Sequence, residues 1–176
     1  MRTGSFAGAG PRPIDGLIAA LTEAAATPLD ARPAAIAGSL APLLTREDLL
    51  DGCDCTPRED RYARRLIHAD PAGRFAVLSL VWAPGQASPI HAHRAWCAFG
   101  VHRGRLSESH FEPPVAAGLP TLCGQLVRDP GSCAHAPASP RLIHRIANTS
   151  DRLAVSIHIY GVGLDAVETG VNHIYA

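Results

Sequence analysis

Two histidines separated by one residue, His91 and His93, are the first residues in this chain whose spacing could do chemistry. In a β-strand, residues i and i+2 point to the same face, so the two imidazoles would aim at one point that a metal ion could occupy. Pro89 precedes the pair, and Gly85 and Gly104 bracket the stretch. Because Pro and Gly punctuate strands, we predict the pair at or near a strand start. A polar edge strand with two solvated histidines is the alternative.

A third histidine and a patterned segment near the C-terminus extend this hypothesis. His144 lies in the apolar run Leu-Ile-His-Arg-Ile, where a lone histidine is also typical of a satisfied core residue. Over residues 153–160, strand alternation puts four apolar residues on one face and Ala154, Ser156, His158 and Tyr160 on the other. Three hydrogen-bonding side chains would be costly against a dry core, so the pattern favours a polar cavity. A solvent-exposed face is the alternative.

The elements that must position these residues fall into two groups. Helical periodicity and capping residues predict helices over 15–26, capped by Asp15, over 32–44, and over 47–50, capped by Thr45. From about Tyr62 the pattern changes to short β-prone runs, and we predict strands over 74–82, 96–102, 105–112, 125–128, 141–147 and 153–160. Short strands separated by turn residues favour a mainly β protein, an antiparallel sandwich or barrel.

Composition limits the classes of partner. Of 176 residues, 16 are Lys or Arg and 16 are Asp or Glu, so the formal net charge of zero does not favour nucleic acid or an anionic membrane. The longest apolar runs are far shorter than a membrane span, and the N-terminus lacks a signal-peptide apolar core. We therefore expect a cytoplasmic protein. Its five cysteines are expected to be reduced thiols, and the C-x-C of Cys53 and Cys55 does not favour a structural zinc.

The length fits one domain with a helical addition. We expect a flexible tail over 1–12 and a single domain over 13–176, made of a helical segment at 13–52 and a β-barrel at about 60–176. The protein is expected to be a monomer or a small homo-oligomer.

The spacing of the motifs resembles a known superfamily. The stretch from Gly85 to Gly104 reads G-x5-H-x-H-x3-C-x6-G, and His144 and Asn148 form H-x3-N. These resemble the two motifs of the cupins, small double-stranded β-helix (jelly-roll) barrels that hold a metal. The resemblance implies a cupin barrel with an N-terminal helical segment, in which His91, His93 and His144 bind the metal. Most cupins place a Glu ligand where this chain has Cys97.

With Cys97 in place of that Glu, the chain resembles one group of cupins, the cysteine dioxygenase, or thiol dioxygenase, family. The likeness includes Tyr62-Ala-Arg64 upstream and Ser156-Ile-His158-Ile-Tyr160 downstream. It implies a mononuclear Fe(II) enzyme that adds both atoms of dioxygen to the sulfur of L-cysteine, giving cysteine sulfinic acid. Arg64, with Tyr62, would bind the substrate carboxylate, because Arg makes a planar two-pronged contact to carboxylates. Relatives that prefer 3-mercaptopropionate usually carry Gln at that position. A surface arginine beside Arg61 and Arg65 is the alternative.

The same resemblance assigns further catalytic roles. Ser156, His158 and Tyr160 match a relay that orients the tyrosine hydroxyl towards the substrate and dioxygen. Cys97 aligns, with one residue dropped, with a cysteine that animal members link covalently to that tyrosine, whereas most bacterial relatives have Gly there. A small buried hydrophobe is the alternative role for Cys97. Ala92 replaces the family's usual Asp between the paired histidines, which would change the support around the metal.

Several functions stay open at this point. A dioxygenase of another small thiol such as 3-mercaptopropionate, a specialised biosynthetic cupin that converts cysteine to a different oxidised product, a metal-holding binding module and a zinc or nickel isomerase are the alternatives. The binding module does not explain the relay, and the isomerase would need the Glu that Cys97 replaces. Four histidines outside the motifs are expected to be dispensable: His102, His110, His135 and His173.

Overall fold

The computed structural model describes residues 12–115 and 118–175. The predicted tail lies outside these residues except for Arg12. Helix α1 spans Pro13–Ala24 and α2 spans Arg32–Leu40, followed by a 3-10 turn at Ala41–Leu43. The strands of the described residues are β1 Ala63–Ala69, β2 Ala76–Trp82, β3 His91–His93, β4 Cys97–Arg103, β5 Leu106–Glu112, β6 Thr121–Arg128, β7 Cys133–Ala136, β8 Ser139–Ala147, β9 Ala154–Tyr160 and β10 Asn172–Ile174.

The strands form two five-stranded sheets whose neighbours all pair antiparallel. The first sheet has the order β1-β2-β9-β4-β7, and the second has the order β10-β3-β8-β5-β6. Strands that are adjacent in sequence often lie in different sheets, so the chain winds between the two layers. The prediction of a mainly β protein with an N-terminal helical segment is confirmed.

Strand β9 belongs to two apolar cores, one on each of its faces. Its residues Val155, Ile157 and Ile159 pack with α1, α2 and the outer face of the first sheet. Ala154 and Tyr160 point the other way, into the space between the sheets. Every residue of β9 is buried. The polar face predicted for this strand therefore lies inside the protein, and the solvent-exposed alternative is wrong.

Two glycines allow close approaches that shape the layers. At Gly100, on β4, an added Cβ would lie 2.3 Å from Cδ1 of Leu44, so the absence of a side chain lets the end of the helical segment press against the sheet. At Gly104, φ is +73° and an added Cβ would lie 2.5 Å from the carbonyl oxygen of Leu153. A side chain at either position would push these elements apart.

Three details of the predicted elements are wrong. Asp15 is the third residue of α1 rather than its cap, because Pro13 starts the helix earlier. The second helix ends at Leu40, and the chain tightens into a 3-10 turn around Pro42, which has no N–H to donate. Residues 47–50 form turns instead of a third helix. The sequence patterns also missed β1, β7 and β10.

Neither helix is long and apolar enough to cross a membrane, within the residues that the structure describes.

Candidate metal centre and active site

Three buried histidines from two adjacent strands converge between the sheets. His91 and His93 lie on β3, and His144 lies on β8 directly opposite His91. One ring nitrogen from each residue can be chosen so that all three lie within 4.8 Å of one another. The Nε2 atoms of His93 and His144 are 3.0 Å apart. These are the three residues that the sequence predicts as metal ligands, and the cluster is compact enough for one ion to contact all three.

The remaining ring nitrogens show which atoms face the centre. Nδ1 of His91 lies 3.0 Å from the carbonyl oxygen of Pro89, which can only accept, so Nδ1 carries the hydrogen and donates it. Nδ1 of His144 lies 2.8 Å from Oε1 of Glu108, again an acceptor. In both rings the Nε2 lone pair is therefore free for a metal. Such outer partners fix the tautomer and the ring orientation of metal-bound histidines.

Burial keeps His91 and His93 in the protonation state that metals require. It lowers the pKa of His91 to about 4 and that of His93 to about 2, with nearby imidazoles adding to the effect. Both rings are therefore neutral at physiological pH, and neutral imidazole is the form that binds metal. A set of three imidazoles suits a divalent transition metal, iron and zinc included. The donor set thus fits the predicted metal.

Glu108 is an important part of the site that the motifs did not reveal. Its carboxylate is buried, contacts His144 through Oε1 and accepts a hydrogen bond of 2.8 Å from Nε of Arg128 through Oε2. Burial acts to raise the pKa of Glu108, but the bonds from His144 and Arg128 outweigh it and lower the pKa to about 2. Alternation along β5 places Glu108 on the same face as the buried Leu106, and a charge at such an inward position was the signal available in the sequence.

A chain of hydrogen bonds runs along β9. Nε1 of Trp82 donates to Oγ of Ser156 at 2.9 Å, Ser156 lies 2.9 Å from Nε2 of His158, and Nδ1 of His158 lies 3.1 Å from the hydroxyl of Tyr160. Trp82 can only donate, so the buried Ser156 hydroxyl is fully used if it donates onward to His158. Nδ1 of His158 then carries the hydrogen and donates it to Tyr160. The tyrosine's own hydrogen stays free to point into the cavity.

The relay residues carry no charge at neutral pH. Burial lowers the pKa of His158 to about 3 and raises the pKa of Tyr160 well above its usual value. Tyr160 is thus a neutral hydrogen-bond donor whose ring lies 5.6 Å, centre to centre, from that of His93. Trp82 was predicted only as the end of a strand, and its place at the start of the relay was not foreseen.

Arg64 and Tyr62 stand at the mouth of the site. Both line a small cavity of about 10 Å³, which the three histidines, His158 and Tyr160 also line. Nη2 of Arg64 donates to the carbonyl oxygen of Val167 at 2.9 Å, and Tyr62 stacks on Trp82 with ring centres 4.3 Å apart. Tyr62 and Arg64 also line a wider depression, and its other charged side chains are three arginines and one glutamate: Arg58, Arg61, Arg65 and Glu168. The structure therefore places the predicted substrate-binding residues between this basic entrance and the histidines.

Cys97 lies next to Tyr160 in the structure. The two residues are directly opposite in the β4–β9 pair, so their side chains share a face. Burial raises the pKa of Cys97 to about 12, which keeps the thiol protonated. Cys97 also lines a second cavity of about 230 Å³, which His93 and His144 line as well. His110 and His135, which the sequence places outside the motifs, lie in the wall of this second cavity.

Comparison with solved structures defines the class of fold. A protein from Klebsiella pneumoniae described as an uncharacterized conserved protein with a double-stranded β-helix domain aligns with a TM-score of 0.51 and 15% identity, over 69% of this chain and 90% of that one. An oxalate decarboxylase from Lactobacillus farciminis, in a formate complex, aligns with a TM-score of 0.50 and 14% identity, over 69% of this chain and 33% of that one. The fold is the cupin double-stranded β-helix, as the sequence predicts.

Sequence comparison then gives the family. The sequence model described as cysteine dioxygenase type I matches residues 57–169. The chain belongs to the cysteine dioxygenase type I family. A cysteine dioxygenase type 1 from Danio rerio is 32% identical over an alignment of 114 residues, and the match covers 62% of this chain and 55% of the relative. The match thus spans about half of that relative's length.

Proposed function

We propose that the protein is a mononuclear non-haem iron thiol dioxygenase that oxidises the sulfur of L-cysteine with dioxygen to cysteine sulfinic acid. The observation that carries the proposal is the shared cavity, which the three converging imidazoles, a neutral tyrosine hydroxyl and an arginine all line. Bound ferrous iron would supply the oxygen-activating chemistry, with His91, His93 and His144 as its ligands. Membership of the family supports the reaction class.

The chain's own residues would bind and orient the substrate. Arg64 uses one of its five donors on Val167, and the remaining donors can pair with the substrate carboxylate. Tyr62, held against Trp82, would flank the carboxylate end. At the other end of the cavity, Tyr160 would donate its free hydrogen to the reacting groups, with His158 and Ser156 holding the hydroxyl in place.

Arg64 and the relay separate this proposal from its alternatives. A guanidinium in the cavity lining matches the carboxylate that cysteine and 3-mercaptopropionate share. The preference for cysteine rests on the resemblance, because related enzymes that prefer 3-mercaptopropionate usually carry Gln at this position. A binding module would have no use for a buried tyrosine hydroxyl kept neutral at the end of three hydrogen bonds. These contacts support an enzyme. Analysis of its product shows whether cysteine is converted to a sulfinate or to another oxidised compound.

The decisive experiment follows the oxygen atoms. Iron-loaded protein is incubated with L-cysteine under oxygen-18, and the product is analysed by mass spectrometry. We expect cysteine sulfinic acid with two labelled oxygens, and no product when the iron is removed by a chelator. A main product with one labelled oxygen, or cystine alone, would overturn the proposed reaction.

The Arg64→Ala variant is expected to discriminate between substrates. Loss of a charge-assisted contact costs about 1.5–3 kcal/mol, so cysteine should bind roughly 10 to 100 times more weakly. Cysteamine has no carboxylate, and its KM should change little. Steady-state kinetics with both thiols measure the difference. The matched control is Arg61→Ala, which removes an exposed arginine from the same basic entrance and should leave both KM values close to wild type. Equal losses for the two thiols in Arg64→Ala would contradict the assignment.

We also predict a covalent bond between Cys97 and Tyr160, which lie directly opposite each other. A thioether forms when oxidation by dioxygen removes one hydrogen from the thiol and one from the tyrosine ring. The product should accumulate with turnover, appear as a doublet on denaturing gels and give a joined peptide two hydrogens lighter than its parts. Peptide mass spectrometry after aerobic turnover measures it.

Two cysteine variants test this bond. Cys97→Ala should collapse the doublet and keep reduced activity, because Tyr160 still offers its hydroxyl. Cys133→Ala, which removes a part-buried thiol from the neighbouring strand β7, should keep the doublet. An unchanged intact mass after turnover would show that Tyr160 works as a free phenol, and the dioxygenase proposal would still stand.

A further inference from the structure

The three histidines differ in how their second ring nitrogen is held. Nδ1 of His91 donates to a backbone carbonyl and Nδ1 of His144 to a carboxylate. Nδ1 of His93 is buried and makes no hydrogen bond of ordinary distance and angle with any residue that the structure describes. A metal-binding imidazole without an outer partner can rotate or change tautomer, which weakens its hold on the metal. His93 therefore needs an acceptor close to Nδ1.

A second buried polar atom without a hydrogen-bond partner in the described part of the chain lies on the adjacent strand β10. Oδ1 of Asn172 is also buried and accepts no hydrogen bond of ordinary distance and angle from residues 12–115 and 118–175. Asn172 is directly opposite His93 in the β3–β10 pair, so the two side chains share a face, and Asn172 lines the same small cavity as the three histidines. Burial dominates the low pKa of His93, and the nearby Asn172 side chain acts in the opposite direction, which places the two side chains close together. The two side chains therefore lie side by side at the cavity.

We propose that Asn172 is a positioning residue whose side-chain oxygen accepts a hydrogen from Nδ1 of His93 and so aims Nε2 of His93 at the metal. The amide oxygen can only accept, which specifies the tautomer with the hydrogen on Nδ1. The inference rests on the metal centre of the proposed function but does not depend on its substrate. Asn172 lies beyond residues 57–169, the segment that matches the family, so this contact comes from the C-terminal strand β10.

The three outer partners would then differ in charge. His144 faces the carboxylate of Glu108, whereas His91 and His93 face neutral oxygens. A carboxylate makes the opposite nitrogen a stronger electron donor than a neutral acceptor does. Of the three ligands, only His144 would then have its electron donation to the metal strengthened by a charged partner. Asn172→Asp would add a second charged partner, and Asn172→Leu, of similar size, would remove the acceptor.

The test measures metal binding in protein freed of metal. Cobalt(II) is titrated into wild type, Asn172→Leu, Asn172→Asp and His173→Ala, and its visible absorption is recorded. We expect the Kd for cobalt to rise about 10- to 100-fold in Asn172→Leu, and to equal or fall below the wild-type value in Asn172→Asp. His173→Ala, which alters the exposed next residue of β10, should bind as wild type does. Wild-type affinity in Asn172→Leu, or an equal loss in the Asp and Leu variants, would overturn the proposal.

A second measurement needs no variant and applies even if Asn172→Leu fails to fold. In the wild-type protein loaded with zinc, whose ion takes the place of the Nε2–Nε2 contact between His93 and His144, ¹⁵N correlation spectra of the imidazoles should show His93 with its hydrogen on Nδ1. A hydrogen on Nε2 would overturn the proposal. Neither readout uses thiol oxidation, so failure of the dioxygenase assay with a normal cobalt result would reject the proposed function alone.

Discussion

His144→Ala is expected to remove most of the bound metal and nearly all turnover. The substitution deletes one of three ligands and also leaves Glu108, its outer partner, without the hydrogen bond from Nδ1. Two imidazoles from one short strand cannot hold an ion as a set of three does, since each ligand that is already positioned adds to the affinity. Metal content by atomic spectroscopy and turnover of L-cysteine measure both losses. His91→Ala and His93→Ala should behave alike.

His135→Ala is the matched control for the histidine series. His135 is exposed and lies at the wall of the second cavity, away from the nitrogens that converge. The variant should keep wild-type metal content and turnover. Full iron content in His144→Ala would show that the three-histidine assignment is wrong, whatever the activity.

Glu108→Ala is expected to weaken both the metal centre and the fold. Outer partners of metal-bound histidines contribute about 10- to 100-fold to affinity, and loss of the charged partner of His144 should fall at the upper end. Removing one member of a buried ion pair costs about 3–5 kcal/mol, because Arg128 is left in a largely buried place without its carboxylate. Cobalt titration measures the first effect, and urea unfolding of the metal-free protein measures the second.

Glu108→Gln separates charge from shape. Glutamine keeps an oxygen that can accept the hydrogen bond from His144, so the variant should retain part of the metal affinity. It removes the negative charge that faces Arg128, so it should retain a smaller part of the stability that Glu108 contributes. Glu112→Gln makes the same chemical change at the exposed end of β5 and should match wild type in both measurements. If Glu108→Ala bound cobalt and unfolded as wild type does, Glu108 would have no role at the centre.

Sequence spacing could predict the ligands because strand geometry repeats every two residues. His91 and His93 share a face by that rule alone, and the same rule placed Ser156, His158 and Tyr160 on one side of β9. The strands 76–82 and 154–160 were recognisable because both their faces are apolar or patterned. Such local signals need no knowledge of which strands pair.

The missed residues depend on pairing that local patterns cannot show. Glu108 reaches His144 only because β5 lies beside β8, and Asn172 reaches His93 only because β10 lies beside β3. Strand β10 has three residues and no alternation long enough to recognise. The assignment of His91, His93, His144, Arg64 and the relay to catalysis stays a prediction, as does the division into a tail and one domain.

Strand β9 joins the helical segment to the catalytic chemistry. Val155, Ile157 and Ile159 are packed by α1 and α2 on one side, while the alternate residues carry the relay on the other. The helices thus support the strand from behind and keep the hydroxyl of Tyr160 in its place beside the three histidines. Cavities introduced at Leu17 or Ile36, which are buried between the helices and the first sheet, should lower catalysis and heat resistance together. Selection on the rate of the enzyme can therefore act through a layer that never touches the substrate.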